Sequence, residues 1–400
     1  MADRKRADGN SHGVVYVRCG MSKYPVESEE LRVGLAPVPR RDPVSPARKN
    51  SPEFVLTECP KSGESLNHVF LRLSAELAAR DAEILSLMIY GSLAARAEIE
   101  GAMQAMLGET RWPVTFVEGA SCDGSPLAGV QAFALSGRMI QRVMLGHRIV
   151  GSVYEDAGAR HCLLGGLGPT SLALLPSAQV QQMFGNLEWA LDQAGFELAD
   201  IVRTWFYNDD ILAWYPEFNR VRTAHYAGVK WRTGSLPAST GIGARNADGA
   251  ALTVAAWAVR PIDGRAGARE IGSPLQCPAP AYGSAFSRAM EIDSGGWRRL
   301  TVSGTASIFP GGNTAWVGNA KKQVDLTMEV IGAILQSRGM DFSAVTRATA
   351  YYRHPLFKPY FETWLAAREL RAMPVVHTHS VVCRDDLLFE IELDACAASG

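Results

Sequence analysis

Long apolar runs and disulfide patterns are both missing from this sequence of 400 residues. No apolar run approaches the roughly 20 residues that a membrane-spanning helix needs, so we expect no membrane association. The seven cysteines are scattered, odd in number and never spaced as CxxC. This usage is typical of a reducing cytoplasm, and it argues against a disulfide framework or a zinc site.

Charge of one sign is lacking as well. The 40 Lys and Arg residues nearly balance the 41 Asp and Glu residues, which leaves a net charge of −1 at pH 7. Because no basic stripe is interleaved with aromatic residues, we do not expect nucleic acid as a partner. The glycine-rich stretch Gly165–Gly168 lacks the Gly-Lys-Ser/Thr ending of a phosphate-binding loop. The sequence therefore indicates neither a nucleic-acid binder nor a phosphate-loop protein.

Large apolar residues are scarce in residues 1–50, which hold many Arg, Pro and Ser residues. Such a composition buries too little apolar surface to offset the entropy of ordering the chain, so we predict a mostly disordered lead-in. The segment also has no apolar stretch of the kind found in secretory signals. A targeting or partner-binding tail is the alternative interpretation.

Past residue 50 the chain repeats one pattern of elements. The segments Gly195–Tyr207 and Gly339–Tyr351 share glycine, arginine and tyrosine at equal offsets. In both copies an apolar helix precedes the segment, a second helix follows it, and a proline then opens two paired strands. A fainter third copy surrounds the predicted strand Ile84–Tyr90. Each copy predicts a small sheet with both helices on one face.

We therefore predict an α+β protein of three tandem units, each with a mixed β-sheet. The predicted units are residues 51–150, 151–262 and 283–400, and the first is the most degenerate. Residues 263–282 are rich in Gly, Pro and Ala, so we predict a linker there.

Seven stretches in the last 240 residues resemble the chorismatases, which belong to the Rid superfamily. They are RTWFY (Arg203–Tyr207), YPEFNRVR (Tyr215–Arg222), LPASTGIGA (Leu236–Ala244), YGSAFSRA (Tyr282–Ala289), RRLTVSGTASI (Arg298–Ile308), AYYR (Ala350–Arg353) and HTHSVVCRDDLLFEIE (His377–Glu392). The resemblance implies Rid-like units, which usually assemble as homotrimers with sites at the subunit interfaces. Three fused units would then resemble a trimer within one chain, either as a monomer or within a larger homo-oligomer.

The same resemblance implies an enzyme that removes the enolpyruvyl side chain of chorismate as pyruvate, without cofactor or metal. The catalytic acid of the family matches Glu390. An enol ether breaks once its methylene carbon is protonated, so the donor must keep its proton near neutral pH. Burial on an apolar strand can raise the pKa of a carboxyl for this purpose. The alternatives are a structural, arginine-paired role for Glu390, and Glu392 as the acid, although a solvated rim position suits Glu392 better.

Arginines in the matched stretches fit a substrate with two carboxylates, because a guanidinium binds a planar carboxylate through two hydrogen bonds. We predict Arg353 as the main ligand, together with Arg222 or Arg288. The other predicted contacts are Arg203, Tyr207, Tyr215, Tyr351, Gly304, Thr240 and Gly241. Core packing is the alternative for Tyr207 and Tyr215. A structural role is the alternative for Arg203, whose place in the repeat is shared by Arg347.

Two residues bear on the product. The branch of the family that releases 3-hydroxybenzoate is expected to have a cysteine and a glycine where the hydrolytic branch has alanines. The matching positions here hold Cys383 and Gly304. The cysteine would act as a relay or transient base during aromatisation, and the glycine would make room for the ring. We therefore favour 3-hydroxybenzoate over the dihydroxycyclohexadiene carboxylate, with a buried, inert Cys383 as the alternative.

Two other functions remain open. Rid proteins that hydrolyse imines and enamines place an arginine two residues after the strand-opening proline, but Thr115, Ser239 and Val376 stand there in the three copies. A non-catalytic scaffold that binds a metabolite or a partner protein is the second alternative. Against it, only the third copy has a carboxylate at the place of Glu390. We expect Val254-Ala255 and Val130-Gln131 at that place in the other two copies.

Overall fold

The computed structural model describes residues 52–262, 264 and 266–399. The predicted lead-in of residues 1–50 lies outside the described residues. The described chain forms six α-helices and three β-sheets, which confirms the predicted α+β class. Among these helices none is long and apolar enough to cross a membrane.

The first unit supplies one sheet with two helices. Its elements are β1 (Glu53–Glu58), α1 (Leu66–Ala79), β2 (Ala82–Gly91), α2 (Arg96–Leu107), β3 (Val114–Glu118), β4 (Ala120–Ser121) and β5 (Leu127–Ser136). The sheet has the order β1-β5-β2-β3, and the short β4 pairs elsewhere. Buried apolar residues of α1 recur at helical spacing, and they pack with the apolar side chains of β2 and β5 in one core.

The second unit has a larger sheet of the order β10-β9-β11-β8-β7-β6. Its elements are β6 (Gln141–Leu145), β7 (Arg148–Glu155), β8 (Ala159–Leu167), α3 (Pro176–Gln193), β9 (Ile201–Asn208), α4 (Ile211–Tyr226), β10 (Ala238–Gly243) and β11 (Leu252–Pro261). The predicted boundary at residue 151 falls inside β7, because β7 pairs on one side with β6 and on the other with β8. The second sheet therefore begins at Gln141.

The third unit has a sheet of the order β12-β13-β14-β17-β15-β16-β4. Its elements are β12 (Gly267–Ile271), β13 (Ala289–Ser294), β14 (Trp297–Ala306), α5 (Ala320–Ser337), β15 (Val345–Tyr352), α6 (Lys358–Ala366), β16 (Val375–His379) and β17 (Phe389–Ala398). Part of the predicted linker is thus a strand, because β12 pairs with β13. The composition of residues 263–282 concealed it.

Each unit has its own core of helix and strand residues, and a fourth core lies between the sheets. This shared core contains large aromatic residues from the strands of different sheets, such as Tyr90, Trp205, Tyr207 and Tyr351. The helices of each unit therefore cover one face of its sheet, and the other faces meet one another. Residues on these inner faces lie within reach of a neighbouring unit.

The strand register aligns the three units residue by residue. In each unit one strand (β2, β9 or β15) pairs with a parallel strand on one side and an antiparallel strand on the other. Tyr90, Tyr207 and Tyr351 occupy the same place on these strands, and their antiparallel partners are Gly129, Thr253 and Glu390. The expected equivalents Val254-Ala255 and Val130-Gln131 were therefore off by one position or more, because a single-residue offset is invisible without the pairing.

Candidate active site

A cavity lies where the second unit meets the third, with about 550 Å³ of free space inside its walls and mouth. The second unit contributes side chains from α4 and β10, and the third contributes the end of β14, the start of β17 and the loop before β17. Seven of the predicted site residues line it, namely Glu390, Cys383, Arg222, Arg288, Tyr215, Gly304 and Gly241.

Glu390 is the carboxyl group of this cavity. It is 5% exposed, and among the described residues its carboxyl makes neither a hydrogen bond nor an ion pair. Burial, together with the negative charge of Glu392, raises its pKa to about 8, although Arg203, Arg288 and Arg384 act in the opposite direction. The carboxyl therefore keeps its proton at neutral pH, as a general acid for a weakly basic carbon must.

Gly304 allows Glu390 to take this position. A Cβ atom on residue 304 would collide with Oε1 of Glu390 and would lie 3.1 Å from Cγ2 of Thr240. The glycine therefore makes room for the acid itself, whereas the sequence had suggested room for the substrate ring. An alanine here would require the Glu390 carboxyl to move.

Glu392, two residues further on, has a different environment. It is fully buried, and its carboxylate accepts hydrogen bonds from Arg203 at 2.5 Å, Arg347 at 3.1 Å and Thr240 at 2.5 Å. The expected rim position for Glu392 is wrong, because these donors hold it in the interior. The arginine-paired structural role that we considered for Glu390 belongs to Glu392 instead.

Three guanidinium groups face the cavity, from Arg222, Arg288 and Arg384. None of them forms an ion pair with a carboxylate of the described residues, although Arg222 and Arg288 are nearly fully buried. A buried cation without a counter-charge is costly, so such a group indicates a site for an anion. The cavity therefore suits a ligand with more than one negative charge.

Neighbouring groups orient these guanidinium groups. Arg222 donates to Oδ1 of Asn219 at 2.6 Å and stacks on Phe218, while its Nε is buried without a partner among the described residues. Arg288 donates to the carbonyl of Cys277 at 3.0 and 3.1 Å, through Nη2 and Nε, and its Cζ lies 5.3 Å from the ring centre of Tyr282. Each arginine keeps further N–H groups for a ligand.

Arg384 lines the cavity although its place in a predicted turn gives no reason to expect it there. Its Nη1 donates to the carbonyl of Gly312 at 2.7 Å, and its Cζ lies 5.7 Å from the ring centre of Tyr282. The only available signal was its position next to Cys383 in a matched stretch. Ser239, Ser284 and Phe286 also line the cavity without having been predicted as contacts.

Five predicted contacts lie elsewhere, and the first of them requires a correction. Arg353 does not line the cavity; its side chain is 30% exposed and its Nη2 lies 3.5 Å from Asp385. The end of β15 directs it toward the loop before β17 rather than into the space between the units. We therefore replace Arg353 by Arg384 in the set of proposed ligands.

The other four side chains are buried between the sheets, where they contact protein groups and do not line the cavity. Arg203 and Tyr351 reach Glu392, and Thr240 hydrogen-bonds to Glu392. The hydroxyl of Tyr207 lies 3.0 Å from that of Tyr90. The alternatives given for Tyr207 and Arg203, core packing and a structural role, describe the placement of these two residues.

Cys383 lines the cavity beside Tyr215 and Glu390. Burial and the negative charge of Glu390 raise the pKa of its thiol to about 12, and the positive charge of Arg384 and the nearby Tyr215 hydroxyl offset this only partly. The thiol is therefore protonated at neutral pH. A resting Cys383 can pass a proton on but cannot act as a base before it loses one.

A second cavity lies on the second sheet, lined among others by Gly166 and Thr253. Thr253 stands at the register of Glu390, and the two charged residues of this cavity, Arg148 and Asp248, pair with each other at 3.4 Å. Its lining residues therefore include no counterpart of Glu390 and no arginine without a carboxylate partner. We take the first cavity as the candidate active site.

Comparisons with known proteins bear on the fold. The crystal structure of a chorismatase, determined at 1.08 Å resolution, superposes with a TM-score of 0.61 at 19% identity, covering 86% of this chain and 98% of that one. The chain has the fold of a chorismatase. The resemblance inferred from the seven stretches is thereby confirmed at the level of the fold.

Other similarities cover about a third of the chain or less. A family model described as Endoribonuclease L-PSP matches residues 168–259. One similar structure is YyfA of Yersinia pestis, from the conserved Rid protein family, at 19% identity and a TM-score of 0.27, covering 33% of this chain and 100% of that one. Another is the YjgF gene product of E. coli, at 16% identity and a TM-score of 0.26, covering 32% of this chain and 96% of that one. No curated protein sequence matches the chain.

Proposed function

We propose that the protein removes the enolpyruvyl side chain of chorismate as pyruvate, with Glu390 as the general acid. One observation carries the proposal. A carboxyl with a raised pKa faces a cavity whose three guanidinium groups have no carboxylate partner among the described residues. Chorismate supplies what this site lacks, namely two carboxylates for the arginines and an acid-labile enol ether for Glu390.

The first chemical step is proton transfer from Glu390 to the methylene carbon of the enol ether. The double-bond electrons form the new C–H bond, and the adjacent carbon becomes an oxocarbenium centre. The carboxylate left on Glu390 is stabilised by Arg288 and Arg384, whose charges act on it across the site. On the hydrolytic route a water adds to this centre and gives a proton to the Glu390 carboxylate. The hemiketal that forms then breaks its bond to the ring oxygen, its hydroxyl proton passes to that oxygen, and pyruvate leaves. On the aromatising route the bond between the ring carbon and the ether oxygen breaks instead, pyruvate keeps that oxygen, and the ring, which keeps the oxygen of its own hydroxyl group, loses a proton to the Glu390 carboxylate. Hydrolysis consumes one water, whereas formation of 3-hydroxybenzoate and pyruvate consumes none.

We favour 3-hydroxybenzoate as the product, because Cys383 and Gly304 stand at the two positions expected to separate the branches. Cys383 lies beside Glu390 in the cavity, and its thiol, kept protonated by burial and by the charge of Glu390, can serve as a relay in the aromatising step. Gly304 lets the acid approach the space between the units. The hydrolytic product is the alternative outcome of the same first step.

We further propose that the three units form a trimer-like arrangement within one chain. The equivalent tyrosines Tyr90, Tyr207 and Tyr351 approach one another: the ring centres of Tyr90 and Tyr207 are 6.3 Å apart, and those of Tyr90 and Tyr351 are 6.5 Å apart. A monomer of this kind, or a homo-oligomer of it, would act in the cytoplasm. No disulfide joins the six cysteines in the described part of the chain, which is in keeping with that location.

The test is incubation of the purified chain with chorismate, with pyruvate measured enzymatically and the aromatic product identified by chromatography. We expect pyruvate and 3-hydroxybenzoate in equal amounts. Glu390→Gln should abolish both while leaving the circular dichroism spectrum unchanged. A wild-type protein that leaves chorismate intact but hydrolyses an imine such as iminopyruvate would overturn the proposal in favour of deaminase chemistry.

A further inference from the structure

An irregularity in the third sheet adjoins the proposed acid. Between Val302 and Thr305 the β14 strand advances three residues while its partner β17 advances two, from Leu393 to Ile391. The extra residue leaves Ser303 and Gly304 outside the regular ladder, as in a β-bulge. Bulges often lie beside active sites, where they redirect a side chain or backbone group. Here the bulge brings Gly304 against the Glu390 carboxyl.

Two hydroxyl groups bind the bulge to the second unit. The Ser303 hydroxyl accepts from the backbone N–H of Ser239 at 2.8 Å and donates to the carbonyl of Ser287 at 2.5 Å. The N–H of Gly304, freed from the ladder, donates to Oγ1 of Thr240 at 3.0 Å. Ser239 and Thr240, which are adjacent on β10, thus hydrogen-bond to Ser303 and Gly304, which are adjacent in the bulge.

Thr240 uses every hydrogen-bonding position of its hydroxyl group. Its Oγ1 accepts from Gly304 at 3.0 Å and from Nη2 of Arg203 at 2.6 Å, and it donates to Oε2 of Glu392 at 2.5 Å. A threonine hydroxyl offers one donor and two acceptor positions, so the set is complete. Thr240 is 1% exposed and does not line the cavity, unlike Ser239 and Gly241 on either side of it.

We propose that Thr240 is a positioning residue for the acid, acting through the Gly304 backbone and the Glu392 carboxylate to fix where the Glu390 carboxyl lies. This inference rests on the proposed function of Glu390. The Thr240 hydroxyl hydrogen-bonds to the backbone of Gly304, which borders the Glu390 carboxyl, and to the carboxylate of Glu392, whose negative charge acts on that carboxyl. Glu392 lies two residues from Glu390 along β17, and Gly304 lies directly against the Glu390 carboxyl.

The second unit repeats the same bulge without the acid. On β8 the chain advances three residues, from Leu164 to Leu167, while β11 advances two. The N–H of Gly166 in this bulge donates to Oγ1 of Thr115 at 2.9 Å, as Gly304 does to Thr240. The threonine–glycine contact is therefore a shared feature of the fold. Only Thr240 adds the bonds to Arg203 and Glu392, which makes Thr115 a matched control.

The experiment compares Thr240→Val, Thr240→Ser and Thr115→Val. We expect Thr240→Val to lower kcat for chorismate at least about tenfold, because a small displacement of a catalytic group has effects of this size. KM should stay within about threefold, since the arginines still bind the carboxylates. Thr240→Ser should restore kcat, and Thr115→Val should lose thermal stability but keep kcat within about twofold.

A readout that does not depend on turnover accompanies these assays. The Glu390 carboxyl carbon is titrated by NMR in protein labelled on glutamate and assigned by its loss in Glu390→Gln. We expect the midpoint in Thr240→Val to fall toward that of an ordinary glutamate, and that in Thr115→Val to stay in place. An unchanged midpoint in Thr240→Val, or an equal fall in both variants, overturns the inference. Failure of the wild-type protein to consume chorismate overturns the proposed function alone.

Discussion

Glu390 and Glu392 lie two positions apart on β17 and point to the same side of it, yet their surroundings differ. Glu392 has arginine and threonine donors, so its charge is compensated in the interior. Glu390 has a cavity and a glycine beside it, so its charge is opposed by burial and by its neighbour. An acid and a fixed anion thus arise from the same residue type because of what each carboxyl touches.

The raised pKa of Glu390 predicts two effects of rising pH. The activity of the wild type should fall, and the stability of Glu390→Gln relative to the wild type should increase. Activity needs the protonated acid, so kcat/KM for chorismate should fall as pH rises through about 8. The folded state holds this proton more tightly than the unfolded state, so the group stabilises the fold at low pH. That contribution is lost between the usual value of 4.5 and about 8.

Glu390→Gln should therefore match the wild type in stability near pH 4.5, and its advantage should grow up to about pH 8. A few kcal/mol is the upper limit, at about 1.4 kcal/mol for each pKa unit. Thermal unfolding of both proteins across this pH range measures the difference. A variant that is less stable than the wild type at pH 9 would contradict the raised pKa.

Single elements explain how the arginines reach one cavity. The α4 helix carries Arg222, the segment before β13 carries Arg288, and the loop between β16 and β17 carries Arg384. Arg353 follows the end of β15, and its side chain lies beside Asp385 on the outer side of the loop between β16 and β17. Chain position alone suggested Arg353, since it follows two tyrosines in a matched stretch. The course of the loop selects Arg384 instead.

Arg384→Gln is expected to raise the KM for chorismate by roughly tenfold to a hundredfold. A charge-assisted hydrogen bond to a carboxylate contributes about 1.5–3 kcal/mol, and glutamine retains little of it. Arg353→Gln is the matched control, and its KM should stay within about twofold of the wild-type value. Steady-state kinetics on the three proteins tests this. Equal effects of the two substitutions would return Arg353 to the site.

The three sheets are joined by a buried polar network around Glu392. Arg203 reaches it from the second sheet, and Arg347 from the third. The first sheet contributes Gln131, whose Oε1 accepts from Arg347 at 3.0 Å and whose Nε2 donates to the carbonyl of Ala348 at 2.8 Å. By strand register Gln131 is the equivalent of Glu392. The first unit therefore supports the carboxylate next to the acid without lining the cavity.

Glu392→Gln should destabilise the whole protein, because it leaves Arg203 buried without its carboxylate. Breaking a buried pair typically costs about 3–5 kcal/mol. The control Asp325→Asn removes the exposed pair with Lys321 on α5, which should cost less than about 1 kcal/mol. Urea unfolding followed by tryptophan fluorescence compares the two variants. A loss for Glu392→Gln no larger than that of the control would show that the network is not structural.

The sequence by itself determined the α+β class and the resemblance to the chorismatases, and it predicted the repeated units and the choice of Glu390 as candidate acid. Each of these depends on local periodicity or on residues close together in the chain, and such features survive without coordinates. Other residues that line the cavity were also predicted from the matched stretches, among them Tyr215, Arg222, Arg288, Gly304 and Cys383.

Only the tertiary structure decided which arginines face the cavity, which of two glutamates lacks an ion-pair partner in the described part of the chain and what Gly304 accommodates. These properties depend on contacts between residues far apart in the chain, such as Thr240 with Glu392, and on a one-residue bulge that no periodic pattern records. A pKa or a vacant donor follows from the groups that surround it in space, and that arrangement exists only once the units have packed together.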